Sequence, residues 1–190
     1  MNCMRLKNRV AFVLLTVVCI SLSMSCGTGK RSGSSGMSGA KAGTAEEANI
    51  IKKYANILET KPDNLHNPKL YILIDEWIGT PYKYGGTAKT GVDCSGFVNQ
   101  IYKNFTTQPL PRSSAELAKI IKSVNKKNLK EGDLVFFNYD AKNSHVGIYL
   151  CNGRYVHAST KSGVTISDLS AAWNLRHFNM GGPVRNMQSK

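Results

Sequence analysis

The stretch Gly91–Val98 constrains this chain most, because a cysteine stands where a loop turns into a helix. The residues that follow Cys94 at helical spacing form an apolar stripe of Phe97, Val98, Ile101, Tyr102 and Phe105. Asp93 or Ser95 is a suitable cap for this helix. The positive end of a helix dipole favours the thiolate, which is the nucleophilic form of cysteine. The stretch therefore predicts a candidate nucleophile on a buried helix, with a structural buried cysteine as the alternative.

Helical periodicity also predicts two helices before Cys94. Thr44 and Glu47 fit a capping box at the start of the first helix. The second is expected over Leu70–Ile78, where apolar residues recur on one face. Residues 46–67 are accordingly interpreted as an N-terminal helical extension of the domain that follows.

The chain after the cysteine helix predicts one more helix and then strands. The helix is expected to begin at Ser113 or Ser114, with Leu117, Ile120 and Ile121 on its apolar face. The predicted strands are Leu134–Phe137, His145–Leu150 and Arg154–Thr160. A helical first half is thus followed by a strand-rich second half.

His145 and His157 fall on neighbouring predicted strands joined by Cys151–Gly153, which contains an Asn-Gly hairpin signal. With a two-residue loop, the two imidazoles would point to opposite faces of the hairpin. With a three-residue loop and a left-handed Gly153 as a bulge, His157 would face Gly147, and His145 would be its diagonal neighbour. A catalytic pair of histidines therefore requires the bulged register.

In that register the three residues form a coherent catalytic set. Cys94 would be the nucleophile, and His145 the base that takes its proton and later protonates the leaving amine. His157 would orient His145, as the third member of a triad does. The alternatives are ordinary strand histidines, or a zinc site with one cysteine and two histidines. No CxxC or HExxH pattern supports a metal, so no metal or other cofactor is expected, and His66 and His177 receive no role.

The first 25 residues have the pattern of a secretion signal. Positive residues at 5, 7 and 9 precede a largely apolar run over Val10–Met24, which is short for a membrane span. The segment that ends at Cys26 resembles a bacterial lipobox, which implies cleavage before Cys26 and acylation of that residue. Ser23 stands where the lipobox usually has leucine, so secretion without lipidation stays an alternative. Residues 26–45, rich in glycine and serine, are predicted to be a flexible tether.

These features place the mature protein in the cell envelope. Lipidation would anchor it to a membrane facing the periplasm, and we expect the outer membrane. The formal net charge of +13 suits polyanionic surroundings, but the basic residues are scattered and no nucleic-acid-binding motif is present. We expect no nucleic-acid partner, a monomer, and a free thiol at Cys151.

Six ordered motifs resemble the NlpC/P60 family of bacterial cell-wall peptidases, a papain-like group of cysteine peptidases. They are Gly79–Gly86, Gly91–Val98, Leu110–Ser114, Gly132–Phe137, Ser144–Tyr149 and Tyr155–Ser159. The resemblance implies an α+β fold in which N-terminal helices, one of them carrying the nucleophile, pack on a five- to six-stranded antiparallel sheet. It assigns residues 68–190 to the catalytic domain.

The resemblance also implies a site and a substrate. Cys94, His145 and His157 match the catalytic triad of the family. The matching substrate-subsite residues are Tyr82, Asp93 and Ser95. Asp93 would hold a free amine where the substrate has one. The implied substrates are peptidoglycan stem peptides, cut at the D-alanyl-diaminopimelate crosslink or at the γ-D-glutamyl-diaminopimelate bond. An amidase acting on the same peptides and a catalytically silent wall-binding lipoprotein remain alternatives.

Overall fold

The computed structural model describes residues 44–185. The predicted signal peptide, the predicted lipidation site Cys26 and nearly all of the predicted tether lie outside the described residues. The helices are α1 (Ala45–Ile57), α2 (Pro68–Asp75), α3 (Cys94–Tyr102), α4 (Ser114–Leu117) and α5 (Ala172–His177). The strands are β1 (Thr87–Ala88), β2 (Gly91–Val92), β3 (Leu134–Phe137), β4 (His145–Tyr149), β5 (Arg154–Ser159), β6 (Gly163–Asp168) and β7 (Phe178–Gly182). Short 3-10 turns occupy Pro62–Asn64 and Lys126–Asn128.

Helix α1 begins as the capping box predicts. The Glu47 amide donates to Thr44 Oγ1 at 3.2 Å, and the Thr44 amide donates to the Glu47 carboxylate at 2.8 Å. Its inner face buries Tyr54 and Ala55 in the same core as α2 and α3. Burial of a large side chain such as Tyr54 stabilises the fold by about 2 kcal/mol. The extension is therefore packed into the core of the described domain.

Two helices differ from their predicted bounds. α2 begins earlier, at Pro68, because proline fits the first helical position and Asn67 accepts a hydrogen bond from the Leu70 amide. α4 ends at Leu117, so the prediction that Ile121 lies on a helical face is wrong. Ile121 is buried, but it lies in extended backbone that bridges to Val184 beyond β7. Pairing with that distant segment overrides the local helical pattern.

The main sheet has five antiparallel strands in the order β6-β5-β4-β3-β7, which confirms the α+β architecture. Helix α3 packs against β4 and β5. Its buried residues Phe97 and Val98 share a core with Val146 and Ile148 of β4. Because side chains alternate along a strand, the residues between them face the other side of the sheet. That second face carries a smaller cluster built on Val135, Phe137, Tyr155, Leu169 and Leu129.

A membrane span is not among these elements. Within residues 44–185, no helix is both long enough and apolar enough to cross a bilayer.

Candidate active site

Cys94 is the first residue of α3, and Asp93 caps the helix. Asp93 Oδ1 accepts from the Gly96 amide at 2.6 Å, which satisfies one of the free donors of the first turn. Gly96 is required at this point, because a Cβ there would overlap the carbonyl oxygen of Gly86. The start of α3 therefore lies directly against the glycine-rich loop that precedes it.

The same loop places Tyr82 beside the thiol. Tyr82 forms a parallel bridge with Val92, and the Lys83 amide donates to the Val92 carbonyl at 3.1 Å. Burial raises the pKa of the Tyr82 phenol, and the nearby Cys94 and Asp93 add to this effect. Tyr82 and Cys94 line one cavity of about 400 Å³. The three residues predicted to form a substrate subsite, Tyr82, Asp93 and Ser95, thus line the same cavity as Cys94.

The Cys94 side chain is buried, with 8% of its surface exposed. Burial raises the pKa of the thiol, and the charge of Asp93 acts in the same direction. Backbone N–H groups of Val146, Ser95 and Cys94 itself oppose this by stabilising the thiolate. Burial outweighs the thiolate-favouring effect that the sequence predicts for a helix start, so the resting thiol is protonated near neutral pH.

The β4–β5 hairpin adopts the bulged register, which confirms the condition for pairing the histidines. Ile148 pairs with Val156, and Tyr149 pairs with Tyr155. Continuing this register places Gly147 opposite His157. Gly147 and His145 precede the two paired residues along β4.

The source of the bulge differs from the prediction. Asn152 and Gly153 both have positive φ, at 52° and 74°, and form a tight two-residue turn. The Arg154 amide donates to the Cys151 carbonyl, and the Leu150 amide donates to the Arg154 carbonyl, both at 2.9 Å. The extra residue is therefore Cys151 on the first strand, rather than a bulge at Gly153. Either arrangement inserts one residue, so the predicted face for each histidine is unchanged.

His145 and His157 are in direct contact. His145 Nε2 lies 2.6 Å from His157 Nδ1, with the rings nearly perpendicular. His157 Nε2 lies 3.0 Å from Ser167 Oγ on β6. Burial and the neighbouring His157 lower the pKa of His145 to about 3, and burial lowers the pKa of His157 to about 4. Both imidazoles are therefore neutral near pH 7.

The histidines lie on the second face of the sheet, opposite α3. They line a cavity of about 610 Å³ together with Tyr139, whose ring stacks on His145 at a centroid distance of 4.9 Å. Ser144 lines the Cys94 cavity and His145 lines this one, so the start of β4 separates the two. The backbone N–H of Val146, the next residue on β4, lies near enough to the Cys94 thiol to lower its pKa in part. Among the described residues, no hydrogen bond joins Cys94 to His145.

Sequence analysis missed Arg112, although it lies in the motif Leu110–Ser114. Its Nη1 and Nη2 donate to the two oxygens of the Asp93 carboxylate at 2.8 and 2.7 Å. Nη1 also donates to Ser95 Oγ at 2.8 Å. Burial acts to raise the pKa of Asp93, but hydrogen bonds from Arg112 and the Gly96 amide outweigh it and leave the pKa lowered. The carboxylate is thus a charged, paired group.

His66 and His177 received no role from the sequence. The backbone amide of His66 donates to Glu131. The His177 ring lies 4.1 Å from that of Trp173 and 5.6 Å from that of Tyr139, which stacks on His145, so His177 is one ring removed from the histidine pair. Cys151 and Cys94 are both free thiols. In the part of the chain that the structure describes, no group of three or more histidine, cysteine, aspartate or glutamate side chains is placed to hold a metal ion.

The fold and the site define an α+β domain with a cysteine at a helix start and a histidine pair on the adjoining sheet. The chain matches the model of the NlpC/P60 family over residues 79–181, which is more than half of its length. The protein belongs to the NlpC/P60 family.

Two curated relatives share the matched region. The chain is 46% identical over 104 residues to the probable endopeptidase NlpC homolog of Haemophilus influenzae. It is 43% identical over 104 residues to the murein DD-endopeptidase MepS/murein LD-carboxypeptidase of Escherichia coli K12. In each case the match covers 55% of this chain and 55% of the relative, so it spans about half the length of the curated relatives.

A solved structure shares the fold. An NlpC/P60 family protein from Bacillus cereus superposes with a TM-score of 0.56 at 28% identity. The superposition covers 63% of this chain and 40% of that chain.

Proposed function

We propose that this protein is a cysteine peptidase that hydrolyses peptidoglycan stem peptides. The observation that carries this proposal is the direct contact between His145 and His157, with Ser144, the residue before His145, lining the Cys94 cavity. Membership of the NlpC/P60 family supports it. The two relatives described above are named as endopeptidases, which supports the same reaction class.

The hydrogen-bonded chain determines which nitrogens carry protons. To accept the thiol proton, His145 uses Nδ1, which makes no hydrogen bond with any other described residue. Its Nε2–H then donates to His157 Nδ1, and His157 Nε2–H donates to Ser167 Oγ. This tautomer leaves His145 ready to act as a base while both rings stay neutral.

The reaction follows from this arrangement. Cys94 Sγ attacks the scissile carbonyl carbon as His145 Nδ1 takes its proton. Collapse of the tetrahedral intermediate breaks the C–N bond, forms a thioester with Cys94, and transfers the proton from His145 to the leaving amine. Water, deprotonated by His145, then attacks the thioester and releases the carboxylic acid and the free thiol.

The start of α3 supplies donors for the developing oxyanion. The backbone amides of Cys94 and Ser95 favour the thiolate and lie in the first turn, where no intrahelical acceptor exists. Donors held in place before reaction are worth about 3 kcal/mol each in acyl transfer. Burial of the site strengthens them, because little water competes.

We assign the D-alanyl-diaminopimelate crosslink as the bond that is cut. The Escherichia coli relative is named as a murein DD-endopeptidase, which supports this assignment. The γ-D-glutamyl-diaminopimelate bond and the amide between muramic acid and alanine are the competing bonds. A catalytically silent wall-binding protein is the competing class, and the buried cysteine with its ordered histidine pair favours the enzyme.

We propose that the protein is located in the cell envelope. Residues 1–25 would direct export, and acylation of Cys26 would anchor the protein to the outer membrane facing the periplasm. If the tether over residues 26–45 behaves as the random coil that its composition predicts, it would give the domain a reach of roughly 25 Å from that anchor. The domain is proposed to work as a monomer on the wall.

The test is digestion of purified peptidoglycan sacculi, with products identified by mass spectrometry and Cys94→Ala as the control. Conversion of crosslinked dimers to monomers is the expected result. Loss of the diaminopimelate end from monomeric stems would show that the γ-D-glutamyl bond is cut instead of the assigned crosslink. Release of intact stems from the glycan would assign an amidase, and the absence of any Cys94-dependent product would contradict the enzyme.

A further inference from the structure

Trp173 on α5 is an exposed aromatic residue that the proposed mechanism does not use. Its side chain is 61% exposed, and its ring packs on that of His177 at a centroid distance of 4.1 Å. His177 Nδ1–H donates to the Trp173 carbonyl at 2.7 Å, and the Asn174 side chain donates to the Asp168 carbonyl at 2.7 Å. The indole is therefore held in place while most of its surface stays open.

Trp173 forms part of the wall of the cavity of about 610 Å³ on the second face of the sheet. Tyr139 connects it to the histidine pair, because the Tyr139 ring lies 6.4 Å from that of Trp173 and 4.9 Å from that of His145. A single exposed tryptophan is ordinary on a protein surface. One that lines a cavity beside a candidate active site indicates a binding surface.

Much of the remaining wall of this cavity consists of hydroxyl groups. Ser167 Oγ is hydrogen-bonded to His157. Ser159 Oγ accepts from the amides of Lys161 and Ser162, so its own proton stays available. Each hydroxyl can donate one hydrogen bond and accept two. Among residues 44–185, the hydroxyl groups of three further lining residues make no hydrogen bond to another protein group, namely Thr160, Ser162 and Thr165.

The charges that line the cavity balance. The lining includes one carboxylate, Asp140, and one ammonium, Lys161. His145 and His157 are neutral near pH 7, because burial lowers their pKa values. No other described lining residue carries a charge. A neutral ligand rich in hydroxyl and amide groups therefore fits this cavity better than a charged peptide, which would lose hydration without gaining a net counter-charge.

We propose that this cavity binds a pyranose ring of the peptidoglycan glycan, with the indole of Trp173 as the surface on which the sugar stacks. One face of a pyranose carries mainly C–H groups, which pack on an aromatic face. The hydroxyl and acetamido groups at the edge of the sugar would bond to the free hydroxyls of the cavity. Trp173 would then be a specificity-determining residue that favours wall polymer over sugar-free peptides. This inference rests on the proposed action on peptidoglycan.

The first experiment measures binding without catalysis, in full-length Cys94→Ala protein with the N-acetylglucosamine tetramer as the probe. The protein has two tryptophans and Trp77 is buried, so quenching of fluorescence by acrylamide reports mainly on Trp173. A saturable decrease in quenching is expected. The absence of a saturable change up to about 10 mM probe would overturn the proposal, since a weaker Kd does not indicate a specific site. Protection by a sugar-free crosslinked peptide alone would assign the cavity to the leaving stem and would also overturn it.

The matched variants separate stacking from the folding of α5. In the Cys94→Ala background, Trp173→Ala should weaken calorimetric binding of the tetramer by about fivefold or more, the size expected for one aromatic contact. Leu175→Ala is the control, because Leu175 is 49% exposed on the same helix and does not line the cavity. It should bind like its parent. Equal losses in the two variants would contradict stacking on Trp173.

The second experiment compares two crosslinked stem dimers as substrates, both acylated at their amino termini, of which only one carries the glycan sugars. The wild-type protein should have a KM about fivefold lower for the dimer with sugars, since the sugar is held equally in the ground state and the transition state. Trp173→Ala should remove most of this difference in KM, whatever its absolute activity. A difference that survives in Trp173→Ala, or that is absent in the wild type, would overturn the proposal.

The peptidase function and the sugar site fail separately. If neither dimer is cleaved but the tetramer protects Trp173 from quenching, the sugar site stands and the peptidase function falls. If both dimers are cleaved with equal KM and the tetramer does not protect Trp173, the peptidase function stands and the sugar site falls.

Discussion

His145 Nε2 and His157 Nδ1 lie 2.6 Å apart because Leu150 and Cys151 together oppose the single residue Arg154. Without that extra residue, the period-two alternation of the strands would send the two rings to opposite faces. A detail of the hairpin turn thus determines whether His157 can orient His145, the proposed base. Activity and stability should both respond to changes in this contact and in the groups around it.

His157 is predicted to act as an orienting residue. His157→Ala should lower kcat by about 100-fold, since His145 would lose the acceptor that fixes its tautomer. His157→Asn should lower kcat by only about tenfold, because the asparagine oxygen can still accept from His145 Nε2–H. The measurement is kcat on crosslinked muropeptides. Equal losses in the two variants would count against an orienting role.

Ser167 is predicted to position His157. It is the diagonal neighbour of His157 on β6, since the register pairs His157 with Thr165 and Tyr155 with Ser167. Ser167→Ala should lower kcat about fivefold, the rough equivalent of one hydrogen bond of about 1 kcal/mol. KM should be unchanged. Ser167→Thr keeps the hydroxyl and should restore most of kcat, whereas failure of this rescue would assign Ser167 to packing alone.

The acid limb of the pH–activity profile should lie at a lower pH than an ordinary histidine would give. His145 can take the thiol proton only when Nδ1 is unprotonated, so activity falls as the pH drops through the apparent pKa of the histidine pair. Burial places this pKa below the ordinary value of about 6.5. The profile of kcat/KM against pH should therefore stay level from pH 7 to about 6. A limb centred at or above pH 6.5 would contradict this.

Acid should also destabilise the fold through the same pair. The folded-state pKa values of about 3 and about 4 lie below the unfolded value, so the unfolded state binds more protons as the pH falls below about 6.5. The free energy of unfolding should decrease between pH 7 and pH 5 by about 2 kcal/mol for each histidine. Urea unfolding at the two pH values measures it. His157→Asn should show about half the wild-type decrease, and an identical decrease would refute the linkage.

Local patterns were sufficient to predict α1, α3 and the face of each histidine. The capping box at Thr44 and the apolar stripe behind Cys94 are short-range signals for the two helices. The alternation of side chains along β4 and β5 gives the face of each histidine. The predicted end of α4 was wrong because Ile121 pairs with Val184, more than sixty residues later. Arg112 was missed for the same physical reason. Arg112 contacts Asp93, 19 residues away, and a contact over that distance leaves no periodic pattern in the sequence.

The position of Cys94 relative to the histidines could not be predicted in the same way. Sequence periodicity placed His145 and His157 on one face, but it could not say which face α3 covers. The structure places α3 and the histidines on opposite faces of the sheet, so Cys94 and the histidine pair line separate cavities on either side of the start of β4. The face that a helix covers is a property of the assembled sheet. Gly147, which faces His157 in the bulged register, is therefore an informative site for mutation.

Gly147→Ala is predicted to impair catalysis by moving His157. A Cβ at this position would lie 2.8 Å from Tyr155 Cδ2 and from the Val156 carbonyl oxygen, and 3.2 Å from His157 Cβ. These neighbours would have to shift, at a cost of about 1–3 kcal/mol for overpacking. Urea unfolding should show this loss, and kcat should fall at least tenfold with little change in KM, because the pair at 2.6 Å tolerates little displacement.

The matched control is Gly153→Ala in the turn of the same hairpin. Gly153 has φ of 74°, and a Cβ there would meet only open space, so alanine introduces backbone strain of about 1 kcal/mol without touching either histidine. The control should therefore lose stability but keep kcat within about twofold of wild type. If both variants lose kcat in proportion to their loss of stability, Gly147 serves only the packing of the hairpin. If Gly147→Ala alone loses kcat, the space beside His157 is a requirement of the catalytic pair.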